Sequence, residues 1–187
     1  MNVEDCGLSQ ADILLTQQQI TDRMAELAAE VDARYQGEKL LLVGVLGGGF
    51  MIMADLCRAM ALPVEIDWLG ASSYGSGNRS SGIVNTTKEL ETDVTDRHVL
   101  LVDDILDTGL TISWLSRLMQ SGGAKSVASC VLLRKPATSA RRIDADFVGF
   151  EIEDVFAVGY GLDHAGQYRS LNCVAKADKA TARGLAS

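Results

Sequence analysis

The sequence predicts an α/β fold in which a mainly parallel central sheet is flanked by helices and carries a small appended β element. Three observations lead there. The aliphatic runs "KLLLVGVL" (39–46) and Val99–Val102 read as strands covered on both faces, which is the pattern of parallel sheets. Stretches of helical periodicity alternate with such runs through the first two thirds of the chain. The last third holds strand-like runs with no helix between them, and these make the appended element.

In chain order, "TQQQITDRMAELAAEVDARYQG" (16–37) sets Ile20, Met24, Leu27 and Val31 at helical spacing, with a capping box from Thr16 to Gln19 and Gly37 as a stop. A glycine turn and a helix follow the first strand in "GGGFMIMADLCRAMAL", and the helix ends before Pro63. "VEIDWLG" (64–70) is the next strand and "IVNTTKEL" (83–90) a weaker one. Between them "ASSYGSGNRSSG" (71–82), dominated by Ser and Gly, reads as a long mobile loop that is either functional in use or ordered by ligand. In "GLTISWLSRLMQSGG" the apolar face is read as Leu110, Trp114, Leu115 and Leu118, with Gly122 as the C-terminal stop. "SVASCVLLRK", "DFVGFEI" and "VFAVGYGL" complete the strands.

At 187 residues the chain suits one domain, residues 1–187, with a substantial core. Apolar residues make up 47% and the mean hydropathy is +0.11, which excludes a largely disordered chain. Seventeen basic against twenty-five acidic residues give a formal charge of -8, which argues against a broad nucleic-acid face. The four cysteines, Cys6, Cys57, Cys130 and Cys173, form no C-x-x-C pair, so a reduced cytoplasmic setting is expected. The amino terminus is acidic where a signal peptide is basic, and no run approaches a membrane span.

The chemistry concentrates in "HVLLVDDILDTGLT" (98–111), where Asp103, Asp104 and Asp107 stand at the carboxyl end of a strand, the edge at which open α/β sheets bind ligands. The amides of Asp107 to Thr111 converge where strand passes into helix, an arrangement suited to phosphate. Adjacent acids would repel a bare phosphate, so they are expected to face sugar hydroxyls, a magnesium ion or a proton. "GVLGGGF" matches neither the dinucleotide nor the P-loop fingerprint; its glycines are either a tight turn or a backbone cradle for an anion.

"VLLVDDILDTGLT" resembles the phosphoribosyl pyrophosphate (PRPP) motif of the type I phosphoribosyltransferases. With "GVLGGGFMIMADL", "SSYGSG", "LLRKP", "DFVGFEI", "VGYGLD" and "YRSL" in order from Leu40 to Leu171, the chain resembles their purine-salvage branch, the hypoxanthine-guanine phosphoribosyltransferases. The resemblance implies the type I fold, its appended element forming a small hood. It also implies transfer of a 5-phosphoribosyl group from Mg2+-PRPP to hypoxanthine or guanine, giving IMP or GMP and pyrophosphate. Asp103 and Asp104 would lie at the ribose hydroxyls and magnesium, and Asp107 near purine N7 as general base. Asp107, Thr108, Gly109, Leu110 and Thr111 would wrap the 5′-phosphate. Leu46, Gly47, Gly48 and Arg169 would hold pyrophosphate, and Ser73 and Tyr74 would belong to a closing loop. Lys135 would donate to the 6-oxo group, Phe156 would stack on the base, the Ala157 carbonyl would accept from its edge, and Asp163 would coordinate a second magnesium. His98 and His164 receive no role.

Most relatives carry Lys or Arg where Gly47 stands, so Gly47→Lys is expected from the sequence to lower the Michaelis constant for PRPP. Relatives are dimers or tetramers, and a homodimer or homotetramer is expected. The alternative reading is a PRPP-sensing, RNA-binding regulator of the same fold, which the net acidity disfavours.

Overall fold

The computed structural model describes residues 3–73, 84–136 and 143–177, without side chains at 71–73 and 84–86. Of the expected closing loop, only the backbone of 71–73 is therefore described, and Tyr74 lies outside the described residues.

The main sheet has the strand order β4-β3-β2-β5-β6-β7, from β2 (Leu40–Leu46), β3 (Glu65–Ser73), β4 (Val84–Lys88), β5 (His98–Leu106), β6 (Ser126–Arg134) and β7 (Phe147–Glu151). All neighbouring pairs are parallel except β3 with β4. A second sheet, ordered β1-β9-β8, joins β1 (Ile13–Leu15), β8 (Ala157–Val158) and β9 (Val174–Lys176) in antiparallel pairs. This is the appended element, but it differs from the expectation. The strand expected over 155–162 shrinks to two residues, and its partners come from the two ends of the chain.

Helix α1 (Gln17–Arg34) begins at Thr16 with the expected capping box, and it buries Ile20, Met24, Leu27 and Val31. Helix α2 (Phe50–Ala59) packs Ile52, Met53 and Leu56 into the same core as α1, while α3 (Leu110–Ser121) covers the opposite face of the sheet. The face of α3 corrects the sequence reading: Ile112, Leu115, Ser116 and Met119 are buried, and Leu118 is 39% exposed. The six apolar residues among its twelve are spread round the helix, so the sheet selects which side is buried.

Strand β2 leads through α2 to β3 on one side, and β5 leads through α3 to β6 on the other. The carboxyl ends of β2 and β5 therefore flank a topological switch point, where the loops diverge and leave a crevice.

Candidate active site

Two adjoining cavities occupy that crevice. The larger, about 410 Å3, is lined by the β2 turn (Leu46, Gly47, Gly48), by Asp103 through Ile112, and by Asp163 and Arg169. The smaller, about 280 Å3, is lined by Lys135, Phe156, Ala157 and Leu162. Asp104, Ile105, Asp107 and Asp163 line both. All the candidate residues expected outside the closing loop thus converge here.

Strand β5 runs through the acids to Leu106 instead of ending before them, so Asp103 and Asp104 are fixed by the ladder. Asp103 is 8% exposed, and its Oδ1 accepts from the Asp104 amide at 2.9 Å. Burial pushes the Asp103 carboxyl well above the usual range, and the neighbouring Asp104 charge adds to the effect. Burial also raises Asp104, against the opposing influence of a hydrogen bond from Asp103 and the positive charge of Arg169.

The β2 turn fits around Asp104. A Cβ at position 48 would lie 1.4 Å from Asp104 Oδ2, so only glycine permits this approach. The Leu46–Gly47 peptide is cis. At the other turn, Gly109 takes φ 72°, in the left-handed region, and caps α3 without a side-chain hydrogen bond. The first-turn amides of α3 have no intrahelical partners and open onto the larger cavity, where an anion gains from them and from the helix dipole.

Arg169 reaches the same cavity and is held from both sides. Its Nη2 lies 2.8 Å from Asp163 Oδ1, and its Nη1 donates to the Gly161 carbonyl at 2.5 Å. Its guanidinium also lies 3.2 Å from where a Gly47 Cβ would be. The cation missing at position 47 is therefore matched by a cation arriving from elsewhere, and a lysine at position 47 would begin against it. This removes the basis for expecting that Gly47→Lys alone improves PRPP binding.

On the other side, Lys135 Nζ stands 3.0 Å from Asp154 Oδ1 and 4.0 Å from Asp107 Oδ2. Phe156 meets His164 edge to face, with centroids 5.3 Å apart. Sequence reasoning missed Asp154, His164, Ile105 and Leu162. Ile105, Leu162 and His164 adjoin candidate acids in sequence, whereas Asp154 joins the site only through its ion pair with Lys135.

Asp103, Asp104 and Asp163 offer the oxygen ligands that magnesium takes. The buried Asp103 and half-buried Asp104 carboxyls, both with raised affinity for protons, form a site short of positive charge, which a metal ion arriving with an anion would supply. Among the described residues no three His, Cys, Asp or Glu side chains stand together as a metal cage. An ion here would draw its other ligands from substrate oxygens and water, as magnesium commonly does. Asp163 accepts from the Gly166 amide at 2.7 Å besides pairing with Arg169, so ligating a second ion requires it to release a partner.

A sequence profile described as "Phosphoribosyl transferase domain" matches residues 10–165. A hypoxanthine-guanine phosphoribosyltransferase of Mycobacterium avium is 42% identical over 172 residues, covering 89% of this chain and 85% of the relative. A hypoxanthine phosphoribosyltransferase of Salmonella typhimurium is 42% identical over 167 residues, covering 88% and 94%. The crystal structure of a hypoxanthine phosphoribosyltransferase from Staphylococcus aureus superposes with a TM-score of 0.85 at 37% identity, covering 89% of this chain and 90% of that one. With glycine turn, acid-bearing strand and uncapped helix gathered at one switch point and these relatives alike over most of their length, the chain belongs to the phosphoribosyltransferase family, in its hypoxanthine(-guanine) branch.

Proposed function

We propose that this protein transfers the 5-phosphoribosyl group from the magnesium complex of PRPP to hypoxanthine or guanine, forming IMP or GMP and releasing pyrophosphate. The observation that carries the reading is the adjoining pair of cavities with Asp104, Ile105, Asp107 and Asp163 common to both. A ribose at that junction would have its phosphates on the amide-rich side and its anomeric carbon facing a base on the other.

The α3 amides with Thr108, Gly109, Leu110 and Thr111 hold the 5′-phosphate, and Asp103 and Asp104 receive the ribose hydroxyls. Arg169 and the backbone of Leu46, Gly47 and Gly48 hold pyrophosphate. Asp103, Asp104 and Asp163 would hold magnesium, which would supply positive charge to the departing pyrophosphate. Positive charge then develops on the ribose ring, and the carboxylates of Asp104 and Asp107 face it. Asp107 takes the purine N7 proton. Lys135 donates to the 6-oxo oxygen, Phe156 stacks on the ring, and the Ala157 carbonyl accepts from the base edge. As the resemblance implies, a loop holding Ser73 and Tyr74 would close over the reacting centre and keep water from PRPP.

We place the reaction in the cytoplasm, where the free thiols of Cys6, Cys57, Cys130 and Cys173 are stable. Among the described residues no helix is long and apolar enough to cross a membrane. The acting unit is the whole chain as a single domain, assembled as a homodimer or homotetramer. No observation favours the RNA-binding regulator. Pyrophosphate release from magnesium PRPP, dependent on added hypoxanthine or guanine, is the direct test. Release that ignores the base, or no release, would refute the assignment.

A further inference from the structure

We infer that Tyr160 and Asp55 form a strut that positions the pyrophosphate side of the site; the inference rests on the function proposed above. Both residues fall in stretches that resemble the family, "VGYGLD" and "GVLGGGFMIMADL", yet neither has a part in the chemistry described so far.

The Tyr160 hydroxyl donates to Asp55 Oδ2, across 105 residues of chain. Asp55 sits on α2, the helix that begins directly after the Gly47–Gly49 turn. Tyr160 sits in the run Gly159, Tyr160, Gly161, whose φ angles are 94°, 49° and 99°. A positive φ is uncommon for a bulky residue and persists only where its surroundings enforce it. Three contacts do so here. The Tyr160 amide donates to the Leu171 carbonyl at 2.9 Å, the Gly161 amide donates to the Arg169 carbonyl at 3.0 Å, and the ring is 7% exposed in the core shared with Ile52, Met53 and Leu56 of α2.

This run touches the pyrophosphate side twice. The Gly161 carbonyl accepts from Arg169, and a Cβ on Gly161 would lie 2.2 Å from the Gly48 carbonyl oxygen, so the two loops meet backbone to backbone. Any shift of Tyr160 is therefore transmitted to Arg169 and to the β2 turn. Lys135 and Asp107 stand one residue past the ends of β6 and β5, on strands that carry neither Tyr160 nor Asp55.

A Tyr hydroxyl that merely satisfies a carboxylate would be the plainer account. Asp55, however, is 36% exposed at its side chain and also pairs with Arg58, so it does not depend on Tyr160 for solvation. The hydrogen bond chiefly fixes where Tyr160 lies, and Tyr160→Phe leaves no buried charge unpaired.

The test compares Tyr160→Phe, Asp55→Ala, the double variant and Asp55→Asn in the full-length enzyme. Michaelis constants for magnesium PRPP and hypoxanthine are measured, with inhibition by pyrophosphate. Loss of the strut raises the PRPP constant and weakens pyrophosphate inhibition by about five- to tenfold, with the hypoxanthine constant held within about twofold. The double variant is no worse than either single one, because both remove the same bond. Asp55→Asn keeps the acceptor and stays close to wild type. Parallel rises in both constants, an additive double variant, or altered melting temperature with unchanged constants would overturn the strut. An inactive wild type would instead overturn the proposed function and the strut with it, whereas an active wild type with unaffected Tyr160→Phe overturns the strut alone.

Discussion

Replacing Arg169 with methionine should raise the Michaelis constant for PRPP far more than that for hypoxanthine. Arg169 is a cation reaching the larger cavity, and Gly47 beside it supplies none. Its guanidinium is about a third exposed, so its hydrogen bonds to phosphate fall at the weaker end of the charge-assisted range. One to two such bonds, at about 1.5 kcal/mol each, amount to roughly 1.5–3 kcal/mol, or a rise of about 10- to 150-fold. The assay is steady-state pyrophosphate release with one substrate saturating and the other varied. Position 47 offers a second arm, since its side chain would begin 3.2 Å from the guanidinium. Gly47→Lys alone should bring no gain, because Arg169 must give way to it. In the Arg169→Met background the same lysine enters vacated space and should restore about tenfold. A PRPP constant within about threefold of wild type for Arg169→Met would refute the reasoning, as would equal effects of Gly47→Lys in both backgrounds.

Asp107→Asn should lower turnover by a factor on the order of a hundred or more with little change in PRPP binding, since the amide keeps the shape and cannot take a proton; unchanged turnover removes the role. Gly48→Ala places a methyl 1.4 Å from Asp104 Oδ2 and should cut kcat/KM for PRPP by about two orders of magnitude; a variant with wild-type kinetics would show that the turn moves freely. The buried Asp103 carboxyl keeps its proton in the folded state at pH values where the unfolded chain, near its ordinary 3.8, has lost it. The stability so conferred is present in full below the unfolded pKa and fades as pH rises through the folded one. Asp103→Asn can accept from the Asp104 amide and donate to its carboxylate. Its melting temperature, without ligand, should therefore gain on wild type as pH rises from 4 towards 8; a variant that loses ground to wild type over that range would contradict the burial argument.

The parts of the molecule that sequence made legible are those with local signals. A capping box and a 3.6-residue period place α1, and an aliphatic run followed by acids, glycine and threonine places β5, its turn and the start of α3. What sequence left hidden depends on distant partners. Strands β1 and β9 are three residues each and pair across about 160 residues, so neither carries a period of its own. Helix α3 is apolar on two sides, and only the sheet decides that Met119 is buried and Leu118 is not. The ion pair of Lys135 with Asp154 and the approach of Arg169 to Gly47 join residues with no fixed spacing, so the sequence could assign Arg169 to pyrophosphate but not set it beside position 47.

The most direct test of the account is the ratio of kcat/KM for hypoxanthine to that for adenine with magnesium PRPP. Lys135 Nζ is a donor with no lone pair, and its side chain is only 14% exposed. A 6-oxo group accepts from it, whereas the 6-amino group of adenine sets donor against donor beside a half-buried charge. Stacking on Phe156 favours neither base. The account predicts turnover of hypoxanthine and guanine and a preference over adenine of roughly four orders of magnitude, much reduced in Lys135→Met. Adenine used within about tenfold of hypoxanthine by the wild-type enzyme would contradict it, because Lys135 would then not read the 6-position.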